Sequence, residues 1–502
     1  MNLRKLAQNI FSQWVMLGTQ LIISVVMTPF LVRRLGDEGY GIIALISGLV
    51  GYHGILYFGL GAAVVKFVAE HHAKEDREAL DETVSTIFTI YLAIGVLWLI
   101  LSLLLAPVLP GLFHLPAAKA LDAQLMLLMM GVALFIHFPG SVYGGVVMGL
   151  ERFDVLNRYN FVLLLLRTSL TVAAVSWRPS VLLVGAINMV TLLAEPVVAW
   201  VFARRLVPWL TVSVKSFSRA RMRELFTFST QSFLFTLSEK LINYTDEFVI
   251  SQARGPGAVT NYVIPLRLVD YARDALDKAT LVLMPGVSAA AARGEITTLQ
   301  TLWRFGNKAV MCLVAPVSLV FVCWGHHVLS LWLDAEHADK GYPPLVWLAF
   351  AFIVQVAGRG LARPIFEGLG WLSIPARITV IEGVLNLAMS VVLVRTWGIA
   401  GVGFATFVPA AISGVLVMPW YVCQRLGVSF VEHLGRTFVR TLPPLVPAYG
   451  VLWAAERWGL HRHLVTTALV CLAVLIVYVV FAWGLTFSRE ERGIIRARVG
   501  RA

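Results

Sequence analysis

Long apolar runs recur along the whole chain, each closed by a cluster of charges or by Gly and Pro punctuation. Splitting at those points predicts fourteen helices, over roughly 8–32, 42–65, 84–112, 124–149, 157–176, 180–203, 224–252, 258–286, 305–333, 343–366, 372–394, 398–423, 437–455 and 464–486. A membrane-spanning helix needs about 20 mostly apolar residues, and nearly every run reaches that length. The seventh and eighth are the exceptions in character, because charges interrupt their apolar faces. The pattern therefore predicts an all-α polytopic membrane protein with about fourteen transmembrane helices.

The chain also matches itself at an offset near 220. Trp200-Val201-Phe202-Ala203-Arg204-Arg205-Leu206 faces Trp420-Tyr421-Val422-Cys423-Gln424-Arg425-Leu426. Val184-Gly185 pairs with Val402-Gly403, Arg158 with Arg377 and Gly36 with Gly255, all within two residues of that offset. Such a period reads as duplication of a six-helix unit. An even number of spans returns the chain to its starting side, so the two lobes are expected to be parallel repeats. The expected organisation is an N-lobe over 1–203 (helices 1–6), a linker over 204–223, a C-lobe over 224–425 (helices 7–12), a C-terminal helix pair within 426–486, and a basic tail over 487–502. The linker is basic and interrupted by Pro208, which suits a segment lying on a membrane surface.

Composition sharpens the class. Apolar residues make up 58% of the chain and charged ones 14%, with a mean hydropathy of +0.78. These values exclude a soluble globular enzyme, a disordered chain and a disulfide-stapled secreted one. The formal charge is +12, and its distribution is informative. Loops on the side of the N-terminus hold 27 Lys and Arg, those on the opposite side 9. By the positive-inside rule both termini are expected in the cytoplasm. The basic residues form no continuous face with interleaved aromatics, so nucleic acid is not an expected partner, whereas anionic lipid headgroups are. The stretch from Ile10 to Val32 is too long for a signal peptide and is expected to remain as the first span.

Charges inside spans cost several kcal/mol each and normally face a bundle interior or a watery cavity. On the eighth helix Arg267, Asp270, Arg273, Asp274, Asp277 and Lys278 fall within a sector of about 140°. The seventh adds Glu239, Lys240, Asn243, Asp246 and Glu247 on one side. Two readings stand: a hydrated cavity lined by these faces, or an ion-pair ladder, since Arg267, Asp270 and Arg273 are spaced i, i+3. Basic groups for an anionic ligand are also offered by Arg33 and Arg34, by Arg167 within the fifth helix, and by Arg359 and Arg363, with interfacial snorkelling as the alternative. The candidate cavity set is Lys240, Asp246, Arg267, Asp270, Arg273, Asp274, Lys278, Arg33 and Arg167. Glu195 and Glu382 stand isolated in apolar runs, each a proton or sodium site or a satisfied structural carboxylate.

Cys312, Cys323, Cys423 and Cys471 all lie in apolar runs and form no CxxC. His53 and His137 read as core histidines, and no histidine pair has the helical spacing of a zinc site, so no metal or other cofactor is implied. The chain contains no GxxxxGK followed by Ser or Thr, no GxSxG and no HExxH, and its loops leave no room for a soluble catalytic domain. No enzyme activity is expected. Transport driven by a substrate or ion gradient is the expectation, against a membrane-embedded glycan polymerase, which typically carries one large outer loop.

The opening, from Asn9 to Thr28-Pro29-Phe30-Leu31-Val32-Arg33-Arg34-Leu35-Gly36-Asp37-Glu38-Gly39-Tyr40-Gly41 and then Gly59-Leu60-Gly61-Ala62-Ala63, resembles the Wzx-type flippases of polysaccharide and lipid-linked oligosaccharide. The second half is similar over Asp246 to Ile250, Gly255-Pro256-Gly257, Tyr262 and Leu283-Met284-Pro285. The resemblance covers almost the whole chain. It places the sequence in the superfamily that includes multidrug and toxin extrusion transporters and murein lipid flippases. What it implies is a two-lobe transporter that loads an undecaprenyl-diphosphate-linked glycan on the cytoplasmic side and releases it outside. The C-terminal helix pair would then line a groove for the lipid tail. Glycan polymerase and glycosyltransferases are the further partners it suggests. Only Arg33, Arg34 and Lys66 stand in the first two helices, which departs from the arginine-rich cavity of murein lipid flippases. Cation-coupled multidrug extrusion is the nearer alternative within the superfamily.

Overall fold

The computed structural model describes residues 3–281, 284–359, 362–369, 371, 373–489 and 491–493. Among these there is no strand; helices joined by short turns account for nearly all of them. The chain forms two compact units, Met1–Thr260 and Asn261–Ala502. The first contains α1 (Leu3–Gly51), α2 (His53–Leu56), α3 (Leu60–Ala73), α4 (Arg77–Leu112), α5 (Ala117–Gly149), α6 (Phe153–Trp177), α7 (Val181–Leu206) and α8 (Arg219–Arg254). The helix α9 (Pro256–Leu281) begins in the first unit and continues into the second. The second unit holds α10 (Met284–Ala292), α11 (Ile296–Trp332), α12 (Ala335–Arg359), α13 (Ala362–Leu369), α14 (Ser373–Ala411), α15 (Met418–Leu426), α16 (Phe430–Thr437), α17 (Leu445–Arg457) and α18 (Leu464–Leu485).

Eight helical stretches among the described residues are long and apolar enough to cross a membrane. Two of them, Gly18–Leu56 and Ser373–Leu426, contain a sharp break, at Gly36 and Gly398. The charged α8 and α9 do not meet the apolarity criterion, and α17, at 13 residues, is too short. The membrane class is carried by the apolar faces. Leu104, Val162, Val392 and Val480 stand exposed on the outer surface of spans, where an aqueous protein would place polar groups.

Gly36 and Gly255, 219 residues apart, adopt nearly the same backbone geometry, φ 71°, ψ 171° and φ 79°, ψ 171°. That region is open almost exclusively to glycine, and each residue turns the chain between two consecutive helices. Within the first unit these corners abut. A Cβ on Gly41 would stand 1.9 Å from the Pro256 carbonyl oxygen, and the Thr260 hydroxyl donates to the Asp37 carbonyl at 2.6 Å.

The first unit buries Leu80, Tyr91, Phe138 and Val146 where α3, α4 and α5 meet. The helix α8 belongs to this unit because aromatic rings seat it: Tyr52 packs on Phe248 at 5.5 Å between centroids and shares a 3.0 Å hydrogen bond with Thr245. In the second unit α12 crosses the π-helical turn Ile412–Val417 at its closest point. A Cβ on Gly358 would stand 1.6 Å from the Gly414 carbonyl oxygen. The C-terminal helices dock on α11: Trp324 and Cys312 share a core with Leu452 and Tyr478, whose hydroxyl donates to the Thr441 carbonyl at 2.9 Å. Beyond α18, Ser488 and Glu491 form a reciprocal capping box at 3.2 and 2.7 Å. Both carboxylate oxygens of Glu491 also accept from the buried Lys308 ammonium, at 2.7 and 2.8 Å. Most of the basic tail lies outside the described residues.

Candidate functional site

Two polar stripes in otherwise apolar helices meet in the first unit. Along α6, Asn160, Leu163, Leu164 and Arg167 follow the i, i+3, i+4, i+7 spacing that shares one helix face, while Val162, Leu165 and Leu166 are exposed on the other. Along α7, Asn188, Thr191, Leu192 and Glu195 repeat the same spacing. With Gln20 and Ser47 of α1 and the thioethers of Met126 and Met130 on α5, these stripes line an open cavity of about 380 Å³. It contains two charged residues, one of each sign.

The side chains of Arg167 and Glu195 are both exposed and line the cavity. Neither has an ion-pair or side-chain hydrogen-bond partner among the described residues. A guanidinium and a carboxylate held apart in one polar hollow of a membrane helix bundle leave five donors and a set of acceptor lone pairs open to a ligand. Intramembrane charge left unpaired by the protein is the ordinary mark of a binding or transport path.

Arg167 is the member of the expected set that lines this cavity. Arg33 is exposed at the end of the first half of α1. The Lys240 ammonium lies over the Tyr244 ring at 4.6 Å, with its stem against Gly54. Asp246 is buried on α8, beside Thr245 and Glu247. In the second unit, Arg273 donates to Asp270 at 3.2 Å and to Gln355 at 3.3 Å, and Arg267 stands 3.8 Å from the other oxygen of Asp270. The ion-pair ladder is therefore present on α9, with all three side chains partly accessible. Asp274 is exposed on the same helix. The side chains of Lys278, Asp277, Glu239, Asn243, Arg359 and Arg363 lie outside the described residues.

The isolated carboxylates Glu195 and Glu382 part company here. Glu382 is 3% exposed and accepts a short hydrogen bond from Ser413 on the π-helical turn. One turn along α14, the Asn386 amide donates to Thr406 at 3.0 Å. Glu382 has structural partners, whereas Glu195 faces open volume. His53 and His137 direct Nδ1 at the carbonyls of Val50 and Leu192, as core histidines do. Among the described residues no group of three His, Cys, Asp or Glu side chains is placed to hold a metal, and all four cysteines are free. Reading charges alone overlooked Gln20, Asn160 and Asn188. Their signal was in the chain all the same, as helically spaced amides within spans.

The comparisons bear on the whole chain. The sequence profile described as polysaccharide biosynthesis protein matches residues 6–288. EpsK of Bacillus subtilis (strain 168), described as an uncharacterized membrane protein, is 23% identical over 495 residues, covering 95% of each chain. A putative O-antigen transporter of Shigella flexneri is 19% identical, over 82% of this chain and 96% of its own. Among solved structures, the lipid II flippase MurJ in an inward closed conformation superposes with a TM-score of 0.69 at 12% identity, over 94% of this chain and 98% of its own. At that identity the likeness shows the fold.

Proposed function

Since the chain belongs to the polysaccharide biosynthesis protein family, we propose that it is a flippase for lipid-linked oligosaccharide, serving O-antigen, capsule or exopolysaccharide assembly. The cargo on this reading is a glycan on undecaprenyl diphosphate. It moves from the cytoplasmic to the outer leaflet of the bacterial inner membrane by alternating access of the two six-helix lobes, 1–203 and 224–425. Both termini are cytoplasmic, and glycan polymerase and glycosyltransferases are the partners that would supply and consume the cargo.

The observation that carries the reading is the cavity holding Arg167. A lipid-linked glycan presents three chemistries at once, and the bundle offers a counterpart for each. A guanidinium matches the diphosphate with two parallel N–H···O bonds, stronger than neutral ones and specific in direction. Asn160, Asn188, Gln20 and Glu195 suit sugar hydroxyls, which both donate and accept. The exposed apolar faces of the spans accommodate a polyprenyl chain, which gains nothing from a polar path. The O-antigen transporter named among the relatives and the flippase fold support the same reading.

The test is the leaflet distribution of lipid-linked glycan in cells whose own copy is replaced by Arg167→Ala or Arg167→Lys. Loss of a charge-assisted bond of about 1.5–3 kcal/mol predicts a fall in outward movement of roughly tenfold or more for Ala. Lys should retain part of it, as a point charge without the fork. The complete glycan then accumulates in the inner leaflet. Normal glycan turnover with increased sensitivity to cationic drugs would instead establish multidrug extrusion, and unpolymerised glycan already outside would point to a polymerase.

A further inference from the structure

The ribbon between α7 and α8, residues 207–218, contains only one short helical turn, Val214–Ser216, yet it is fixed at almost every step. Thr211 donates to Asp81 through its amide at 3.1 Å and its hydroxyl at 2.6 Å. Ser85 donates to the Thr211 carbonyl at 3.3 Å and accepts from the Ser213 amide at 3.1 Å. The Ser218 amide donates to Thr86 at 3.0 Å, and the Ser218 side chain caps α8. Val207 and Leu210 are buried beneath. A loop that merely crossed solvent would need none of this.

What the ribbon presents outward is sorted by charge. Arg221 turns inward and pairs with Glu82 at 3.1 Å and Glu224 at 3.0 Å, which occupies both carboxylates. Lys215, Arg219 and Arg223 are exposed and have no ion-pair partner among the described residues. Arg219 and Arg223 stand one helical turn apart, a like-charge spacing that disfavours the helix unless an anion lies between them. Two apolar side chains share the surface, Val214 at 51% and Phe217 at 40% exposure. The ribbon follows directly on the span Val181–Leu206, whose last turn adds Arg204 and Arg205.

We propose that this ribbon and the first turns of α8 are a docking surface for anionic phospholipid headgroups. The cations take lipid phosphates while Val214 and Phe217 enter the acyl boundary, the arrangement of interfacial segments that lie in the membrane plane. An acidic protein would match the cations but not the two apolar side chains at the end of a span. The surface holds the linker of the transporter at the bilayer, and its existence does not depend on the cargo.

The test uses the full-length protein in nanodiscs, with a fluorophore on Ser216→Cys; the four native cysteines are buried or half-buried. Quenching by headgroup-labelled phosphatidylglycerol is compared with quenching by equally labelled phosphatidylcholine at the same mole fraction. The expected preference for phosphatidylglycerol is about fivefold for each cation engaged. It falls to parity in the variant Lys215→Gln/Arg219→Gln/Arg223→Gln and is weakened at high salt. Monodisperse elution of that variant establishes that it still folds. Parity in the native protein, a preference that survives the triple variant, or absence of quenching by either lipid would overturn the proposal. Because no transport is measured, these outcomes are independent of whether the chain flips a glycan.

Discussion

Lys308 and Arg167 are both cations on membrane-spanning helices, and their surroundings give them opposite roles. Lys308 is 1% exposed and is met by both oxygens of Glu491, so its charge is consumed within the fold. Removing one partner of such a pair leaves the other charge uncompensated, at a cost of roughly 3–5 kcal/mol, while replacing both by apolar groups is often neutral. Lys308→Met should therefore lower the thermal midpoint of the detergent-solubilised protein markedly. Lys308→Met/Glu491→Leu should recover most of the loss, and a double variant no better than the single one would show that the pair is not coupled. Arg167 has no such partner among the described residues, which is why its substitution is expected to affect transport more than stability. Neither role is visible in the sequence, because Glu491 lies 183 residues from Lys308 and no local pattern links them.

Among the elements, α16 shows how a short amphipathic helix outside the spans is secured. Ser429 caps it, Glu432 is paired to Arg436 at 2.5 Å and to Arg304 at 3.7 Å, and His433 stacks on Trp303 with centroids 4.9 Å apart. The His433 imidazole is buried, with no hydrogen-bond partner on either nitrogen among the described residues. Burial, reinforced by the nearby Arg304 charge, lowers its pKa from 6.5 to about 4. The folded-state value lies below the unfolded one, so the unfolded chain binds the extra proton first as the pH falls. The contribution of the neutral ring is complete above pH 6.5 and is lost between pH 6.5 and about 4. Thermal midpoints measured across that window should fall less steeply for His433→Phe, which keeps a stacking ring and cannot titrate. Parallel slopes would place the titration elsewhere. The helices themselves were legible from apolar runs closed by charge clusters, Gly and Pro. The breaks at Gly36 and Gly398 were less so, since glycine is frequent in spans and the required positive φ is a property of the folded backbone.

For the whole molecule, the excess of Lys and Arg on one side makes a topological prediction. A reporter active only in the cytoplasm should work when fused after Ala502 and fail when inserted beside Asp339, and the reverse pattern would invert the proposed orientation. The class of protein and its family follow from the sequence by itself, because apolar run length and motif resemblance are local signals that survive without knowing which faces meet. The cavity was half legible. Arg167 and Glu195 stood out as charges in apolar runs, but Glu382 looked the same, and the amides beside them passed unnoticed. Only the tertiary structure decided that Glu195 lines the same open hollow as Arg167 while Glu382 is buried against Ser413. The cause is the rotation of each helix about its own axis. That rotation is set by packing against neighbours distant in sequence, and it determines whether a polar side chain finds a partner within the fold or is left facing the cavity.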